Sequence, residues 1–114
     1  MRLIYIAGKL NGNAIEYIQN VHNMVHYGEL VRHQGCAVAL PCNDVIHGFI
    51  VGSHEYKDYF ENNLEILKRC DAVAVVGGWE ESEGTQKEID CAIDLCIPVL
   101  YDFNEVMDYL ERWR

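Results

Sequence analysis

Apolar and polar positions along this chain fall into two alternating patterns. Short unbroken apolar runs occur at Leu3-Ile4-Tyr5-Ile6-Ala7, at Cys36-Ala37-Val38-Ala39-Leu40, over residues 72–76 and at Ile97-Pro98-Val99-Leu100-Tyr101. Runs of that length bounded by glycine, proline or polar residues read as strands buried on both faces. Between them, apolar residues recur every three or four positions. Ala14, Ile18, Val21, Val25 and Val31 predict one face of a long helix that starts after Asn13 and stops at Gly35. Tyr56, Phe60, Leu64 and Leu67 predict a second helix that ends before Asp71, Ile89, Ala92, Ile93 and Cys96 the inner face of a third that begins near Ser82 or Thr85, and residues 104–113 a closing helix. Residues 41–53 mix apolar side chains with Gly48 and Gly52 without a period, and are expected to form a mobile loop or lid.

The order β-α-β-α-β-α-β-α predicts an open parallel sheet, Rossmann-like or flavodoxin-like, of about four or five strands with right-handed crossovers and helices on both faces. A chain of 114 residues suits one domain over residues 1–114. In such a sheet, ligands bind beyond the carboxyl ends of the strands. Two loops lie there: Gly8-Lys9-Leu10-Asn11-Gly12 after the first strand, and the glycine-rich turn from Gly77 to Glu88 after the third.

Composition narrows the partners. The formal charge of -9 argues against a nucleic-acid polymer, which needs a clustered basic surface. A small phosphorylated ligand stays compatible, because backbone amides and one lysine can supply local positive potential. Five cysteines with no CxxC pair sit mostly in apolar runs, as reduced core residues of a cytoplasmic protein do. The first residues carry no signal-peptide pattern and no run approaches the ~20 apolar residues of a membrane span. His22 and His26 are one helical turn apart, but no third ligand accompanies them, and neither a metal nor another cofactor is expected.

Several residues carry both a structural and a chemical reading. Thr85-Gln86-Lys87-Glu88 fits a capping box, with Glu88 returning a hydrogen bond to the cap backbone; alternatively Glu88 is a catalytic carboxylate, its ionised form favoured by the positive end of the helix. Ser82 is a plain helix cap or, with Gly84, a phosphate contact at a helix N-terminus. Asn63 interrupts an apolar stripe, either bonded at its margin or placed for a ligand. Tyr5 is a core aromatic unless its hydroxyl serves the site.

Taken in order, Tyr5-Ile6-Ala7-Gly8, Cys70-Asp71-Ala72-Val73-Ala74-Val75 and Ser82-x-Gly84-x-x-x-Glu88 make the chain resemble the nucleoside 2-deoxyribosyltransferase superfamily over roughly residues 3–101. The form Gly78-Trp79-Glu80-x-Ser82-x-Gly84-x-x-x-Glu88 is most similar to a group of short bacterial and phage proteins within it. The resemblance implies that Glu88 is the nucleophile that attacks the anomeric carbon, that Tyr5 orients it, and that Ser82 receives the phosphate of a nucleoside 5'-monophosphate where nucleoside transferases tend to carry aspartate. Gly8, Lys9, Asn11, Gly12, Trp79 and Gly84 are the further residues expected around the substrate, Lys9 standing where many relatives have proline. The resemblance also implies a homo-oligomer, dimer or tetramer, in which a neighbour closes the pocket. One departure matters most: Asn63 occupies the position of the aspartate that protonates the departing base, and an amide is no general acid. Glu61 or Glu65 would be the nearest carboxyl substitutes, but each lies two residues away on the helix and so points elsewhere. The expected activity is hydrolysis of the base–sugar bond of a (deoxy)nucleoside 5'-monophosphate; the alternative is a non-catalytic protein of the same fold that senses or sequesters a nucleotide.

Overall fold

The structure is a computed structural model that describes residues 1–43, 50–51 and 56–113. Among these residues, four parallel strands form one sheet: β1 (Leu3–Ala7), β2 (Ala37–Ala39), β3 (Ala72–Val75) and β4 (Val99–Leu100), in the order β2-β1-β3-β4. Four helices connect and cover them: α1 (Ala14–Arg32), α2 (Tyr56–Leu67), α3 (Glu83–Asp94) and α4 (Phe103–Arg112). This is the open α/β architecture that the apolar runs predict, with the 2-1-3-4 order of flavodoxin-like sheets.

Strand alternation divides the core into two layers. Ile4 and Ile6 of β1 and Ala72 and Ala74 of β3 pack with Met24 and Val31 of α1 and with Val106, Tyr109 and Leu110 of α4. Their neighbours Tyr5, Ala7, Val73 and Val75 point the other way and pack with Leu67 of α2 and with Ile89 and Ala92 of α3. Pairing of Ile4 with Ala72 and Tyr5 with Val73 keeps the two central strands in step, since a one-residue slip would exchange their layers. Asp71 closes the lower end of the sheet by accepting from the Leu3 N–H at 2.7 Å.

Helix α1 buries only part of the face its sequence suggests: Val31 is in the core and Val21 packs against it. Met24, Gly28 and Val31 are buried, whereas Ile18 is 69% exposed and Val25 and Ala14 also face outward. Gly28 makes room for Leu40: a Cβ there would meet Leu40 Cδ2 at 2.8 Å. The start of α1 carries a capping box that joins Asn13 and Glu16. In α3 the buried residues are Thr85, Glu88, Ile89 and Ala92, while Ile93 and Cys96, expected inward, are exposed. The expected lid begins as a 3-10 turn at Pro41–Asn43; residues 44–49 and 52–53 of it lie outside the described residues.

Cys96 follows α3 with a left-handed φ of 58°. Ile97 N–H donates to Ala92 O at 2.8 Å, the wrap-around bond of a helix end that normally favours glycine. A Cβ in this conformation costs roughly 1–2 kcal/mol, partly offset by the extra freedom that glycine has in the unfolded chain. Cys96→Gly is therefore expected to stabilise the protein by about 0.5–1 kcal/mol, measurable as a higher denaturation midpoint with an unchanged slope.

Candidate active site

Helix α1 leaves β1 toward one face of the sheet, and α3 leaves the adjacent β3 toward the other. Their divergence opens a crevice beyond the carboxyl ends of the two central strands, the topological switch point at which open α/β sheets hold ligands. Gly8 turns the chain out of β1 here, where a Cβ would stand 3.0 Å from Val76 Cβ. On the other side, Gly78, with a φ of 90°, turns the chain out of β3 into a 3-10 turn at Trp79–Glu81.

Ser82, not Thr85, caps α3: its Oγ accepts from the Thr85 N–H at 3.2 Å and from Thr85 Oγ1 at 2.9 Å. This corrects the capping box expected at Thr85 and Glu88, because the upstream hydroxyl takes the bond first. Counted from Ser82, Glu88 lies in the second helical turn, where the field of the helix end has faded, and its side chain points into the protein. It is 7% exposed, and its Oε2 accepts a hydrogen bond from the Tyr5 hydroxyl, itself buried beneath it on β1. Burial pushes the Glu88 carboxyl up to about 7, and the Tyr5 bond opposes this only in part. The expected preference for the ionised form, based on the helix end, gives way to desolvation.

Glu88 opens onto a cleft of about 170 Å³. Gly8, Asn11, Ser82, Gly84 and Asn63 also line it, so the structure brings most of the residues singled out from the sequence to one place. An adjoining groove of about 410 Å³ shares Asn11, Ser82 and Gly84 and adds Lys9 and Lys87 together with Glu81 and Glu83. Lys9 Nζ bonds Glu81 Oε2 at 3.0 Å, so it reaches the groove as half of an ion pair. Asn63 borders both the cleft and a neighbouring hollow lined by Tyr5 and Pro41.

Two expected residues are not brought to these spaces. Trp79 packs its ring against Tyr101, with centroids 5.6 Å apart, and against the Tyr5 layer of the core. Gly12 makes room for Glu16, whose Cβ would lie 2.8 Å from a Cβ at that position. The candidate substitutes for the acid also lie elsewhere: Glu61 is exposed and Glu65 is engaged by Lys68 and Arg69 at 3.0 and 3.1 Å.

The walls that the sequence did not reveal are apolar. Tyr17 of α1, Tyr59 and Phe60 of α2, and Leu10 and Pro41 line the main cleft, with Thr85, 1% exposed, beneath. The signal for two of them was present, since Tyr59 and Phe60 stand four and three residues before Asn63 and share its side of a helix. Lys87 completes the groove, its ammonium 6.0 Å from the centre of the Phe60 ring. Among the described residues, no group of three or more His, Cys, Asp or Glu side chains is placed to hold a metal ion, and His22 and His26 lie ring to ring at 4.1 Å on α1. No described helix is long and apolar enough to cross a membrane.

Comparison with known proteins adds two findings. Residues 2–101 match a family model described as a domain of unknown function, DUF4406. The fold is similar to that of a 2-deoxyribosyltransferase from the psychrotolerant bacterium Bacillus psychrosaccharolyticus, with a TM-score of 0.63 and 25% sequence identity, over 85% of this chain and 69% of that one. No curated protein matches by sequence.

Proposed function

The chain belongs to the DUF4406 family, a domain of unknown function, and from that premise we propose that it hydrolyses the N-glycosidic bond of a (deoxy)nucleoside 5'-monophosphate with Glu88 as nucleophile. The observation that carries this reading is the buried Glu88 carboxylate, bonded by Tyr5 and opening onto a cleft with aromatic walls. A carboxylate held at such a cost to stability, in a cleft at the switch point, is typical of a working group. Similarity to a 2-deoxyribosyltransferase supports nucleoside-related glycosyl transfer or hydrolysis as the reaction class. We further place the chain in the short bacterial and phage group of that superfamily, as one domain acting as a homo-oligomer in the cytoplasm.

In this reading the ionised Glu88 attacks the anomeric carbon as the bond to the base breaks, forming a glycosyl ester. Water then attacks the same carbon, the ester bond breaks, and the sugar phosphate leaves with its configuration retained. Tyr5 holds one carboxylate oxygen and leaves the other to react. The aromatic wall stacks the base. Ser82 Oγ already accepts two hydrogen bonds, so its own hydrogen is left to donate to a phosphate oxygen. Lys9 and Lys87 add charge, with Glu81 competing for Lys9.

A specific observation favours a second reading, a nucleotide-binding protein without turnover. Among the described residues that line the main cleft, Glu88 is the one carboxylate, whereas retaining glycosidases ordinarily use two. The test is direct: incubate the protein with a panel of ribo- and deoxyribonucleoside 5'-monophosphates across pH 5–9 and follow free base by chromatography. Because the nucleophile must be ionised, kcat/KM is expected to rise with pH through a midpoint near 7. Saturable binding without base release at any pH selects the second reading.

A further inference from the structure

Thr85 places a hydroxyl on the buried face of α3. It is 1% exposed, shares that face with Glu88, Ile89 and Ala92, and lines the main cleft together with Ser82 and Gly84. A hydroxyl buried to this degree destabilises the fold unless it is bonded. Its bond goes to Ser82, whose Oγ lies 2.9 Å from Thr85 Oγ1 and also accepts the Thr85 N–H at 3.2 Å. The two hydroxyls carry two protons and share one bond, so one proton is left over. On Thr85 it would be shut away from water without an acceptor, a cost that the half-buried Ser82 avoids. The spare proton therefore belongs to Ser82. Both lone pairs of its oxygen are taken by Thr85, and among the described residues none accepts its hydrogen.

We propose that Thr85 is a positioning residue that makes Ser82 an obligate hydrogen-bond donor toward the cleft, and so suits the site to a fully ionised phosphate. The inference rests on the nucleotide reading of this cleft. A serine free to rotate accepts from an alcohol or a protonated phosphate as readily as it donates. Held by Thr85, it offers only its proton. That fits a group whose oxygens accept and never donate, and the charge on the group strengthens the bond. The N–H groups of Glu83 and Gly84, at the first two positions of α3, have no acceptor within the helix and add donors where the same groove passes. Thr85 itself does not touch the ligand in this arrangement; its effect passes through the orientation of Ser82.

The experiment is equilibrium binding of ribose 5-phosphate and 2-deoxyribose 5-phosphate to the full chain by calorimetry, with Thr85→Val, Thr85→Ser, Ser82→Ala and the double variant Ser82→Ala with Thr85→Val. Valine keeps the shape of threonine and removes its hydroxyl, and is expected to weaken binding about 3- to 10-fold. Serine returns the hydroxyl and should return the affinity. Ser82→Ala is expected to lose roughly 10- to 100-fold, the effect of one bond to a charged group. Adding Thr85→Val to it should lose nothing further, because the threonine acts through the serine. Full affinity in Thr85→Val, a loss that Thr85→Ser shares, or losses that add in the double variant each overturns the role of Thr85, and a loss in Ser82→Ala then leaves the phosphate site standing. Full affinity in Ser82→Ala overturns the role of both hydroxyls. Failure of both sugar phosphates to bind the unaltered folded protein overturns the nucleotide reading itself.

Discussion

Replacing Glu88 with glutamine is expected to abolish base release and at the same time to make the protein more stable at pH 8. The first effect follows from the proposed chemistry: an amide oxygen does not form the glycosyl ester, and loss of a nucleophile costs at least about 10³-fold in kcat. The second follows from burial. The carboxyl titrates at about 7 in the folded chain against an ordinary value of 4.5. A raised value means that the folded state holds the proton more tightly, so stability is full below about pH 4.5, declines as pH rises toward 7 and is level above that. The loss at the plateau is of the order of 3 kcal/mol. Glutamine removes the buried charge but leaves an amide N–H₂ in search of an acceptor, which costs about 1–2 kcal/mol. The net gain is therefore about 1–2 kcal/mol at pH 8 and becomes a loss of about 1–2 kcal/mol at pH 4.5, where the glutamate is already neutral and only the amide cost remains, and thermal melts of the two proteins at both pH values measure it. A glutamate whose role is only to hold the helix would give the reverse, a variant less stable at neutral pH.

Asn63→Asp is expected to change activity in the opposite direction. If the chain is a slow glycosidase that lacks an acid at this position, a carboxyl group on the aromatic wall restores proton delivery to the departing base, an effect of roughly 10²- to 10⁴-fold in kcat. The new group must be protonated to act, so the pH profile should gain a descending limb and become a bell. Single-turnover base release at several pH values measures both features. Unchanged or lower kcat at every pH would mean that proton delivery does not limit the reaction.

The strands were legible because each is a short apolar run closed by glycine, proline or a polar residue; the split of β1 into Ile4 and Ile6 on one layer and Tyr5 on the other became visible only in the fold. Other features were hidden for identifiable reasons. In α1, apolar residues surround the helix: Ile15, Ile18, Val25 and Leu30 are all exposed, so the face read from periodicity was right at Val21 and Val31 and wrong at Ile18 and Val25, and the buried Gly28 has no hydropathy to display. At α3 two cap patterns overlapped, Ser82 with Thr85 and Thr85 with Glu88, and only the backbone path shows that the serine comes first. Around the site, neighbourhood in sequence misled at Trp79 and Gly12, which sit within or beside the motifs but turn to Tyr101 and Glu16. Tyr17 went unnoticed because its place depends on how far α1 reaches past the sheet, whereas the spacing of Tyr59 from Asn63 on one helix was a signal left unread.

The bond between Tyr5 and Glu88 spans 83 residues of sequence. One partner lies in the first strand and the other in the helix that follows β3, so the bond closes a very large loop. Contacts of such range are slow to form and are made when most of the topology is already built. The folding transition should therefore be largely crossed before the Glu88 carboxyl loses its water, and removing its charge should act mainly on the rate of unfolding while leaving the rate of folding almost unchanged.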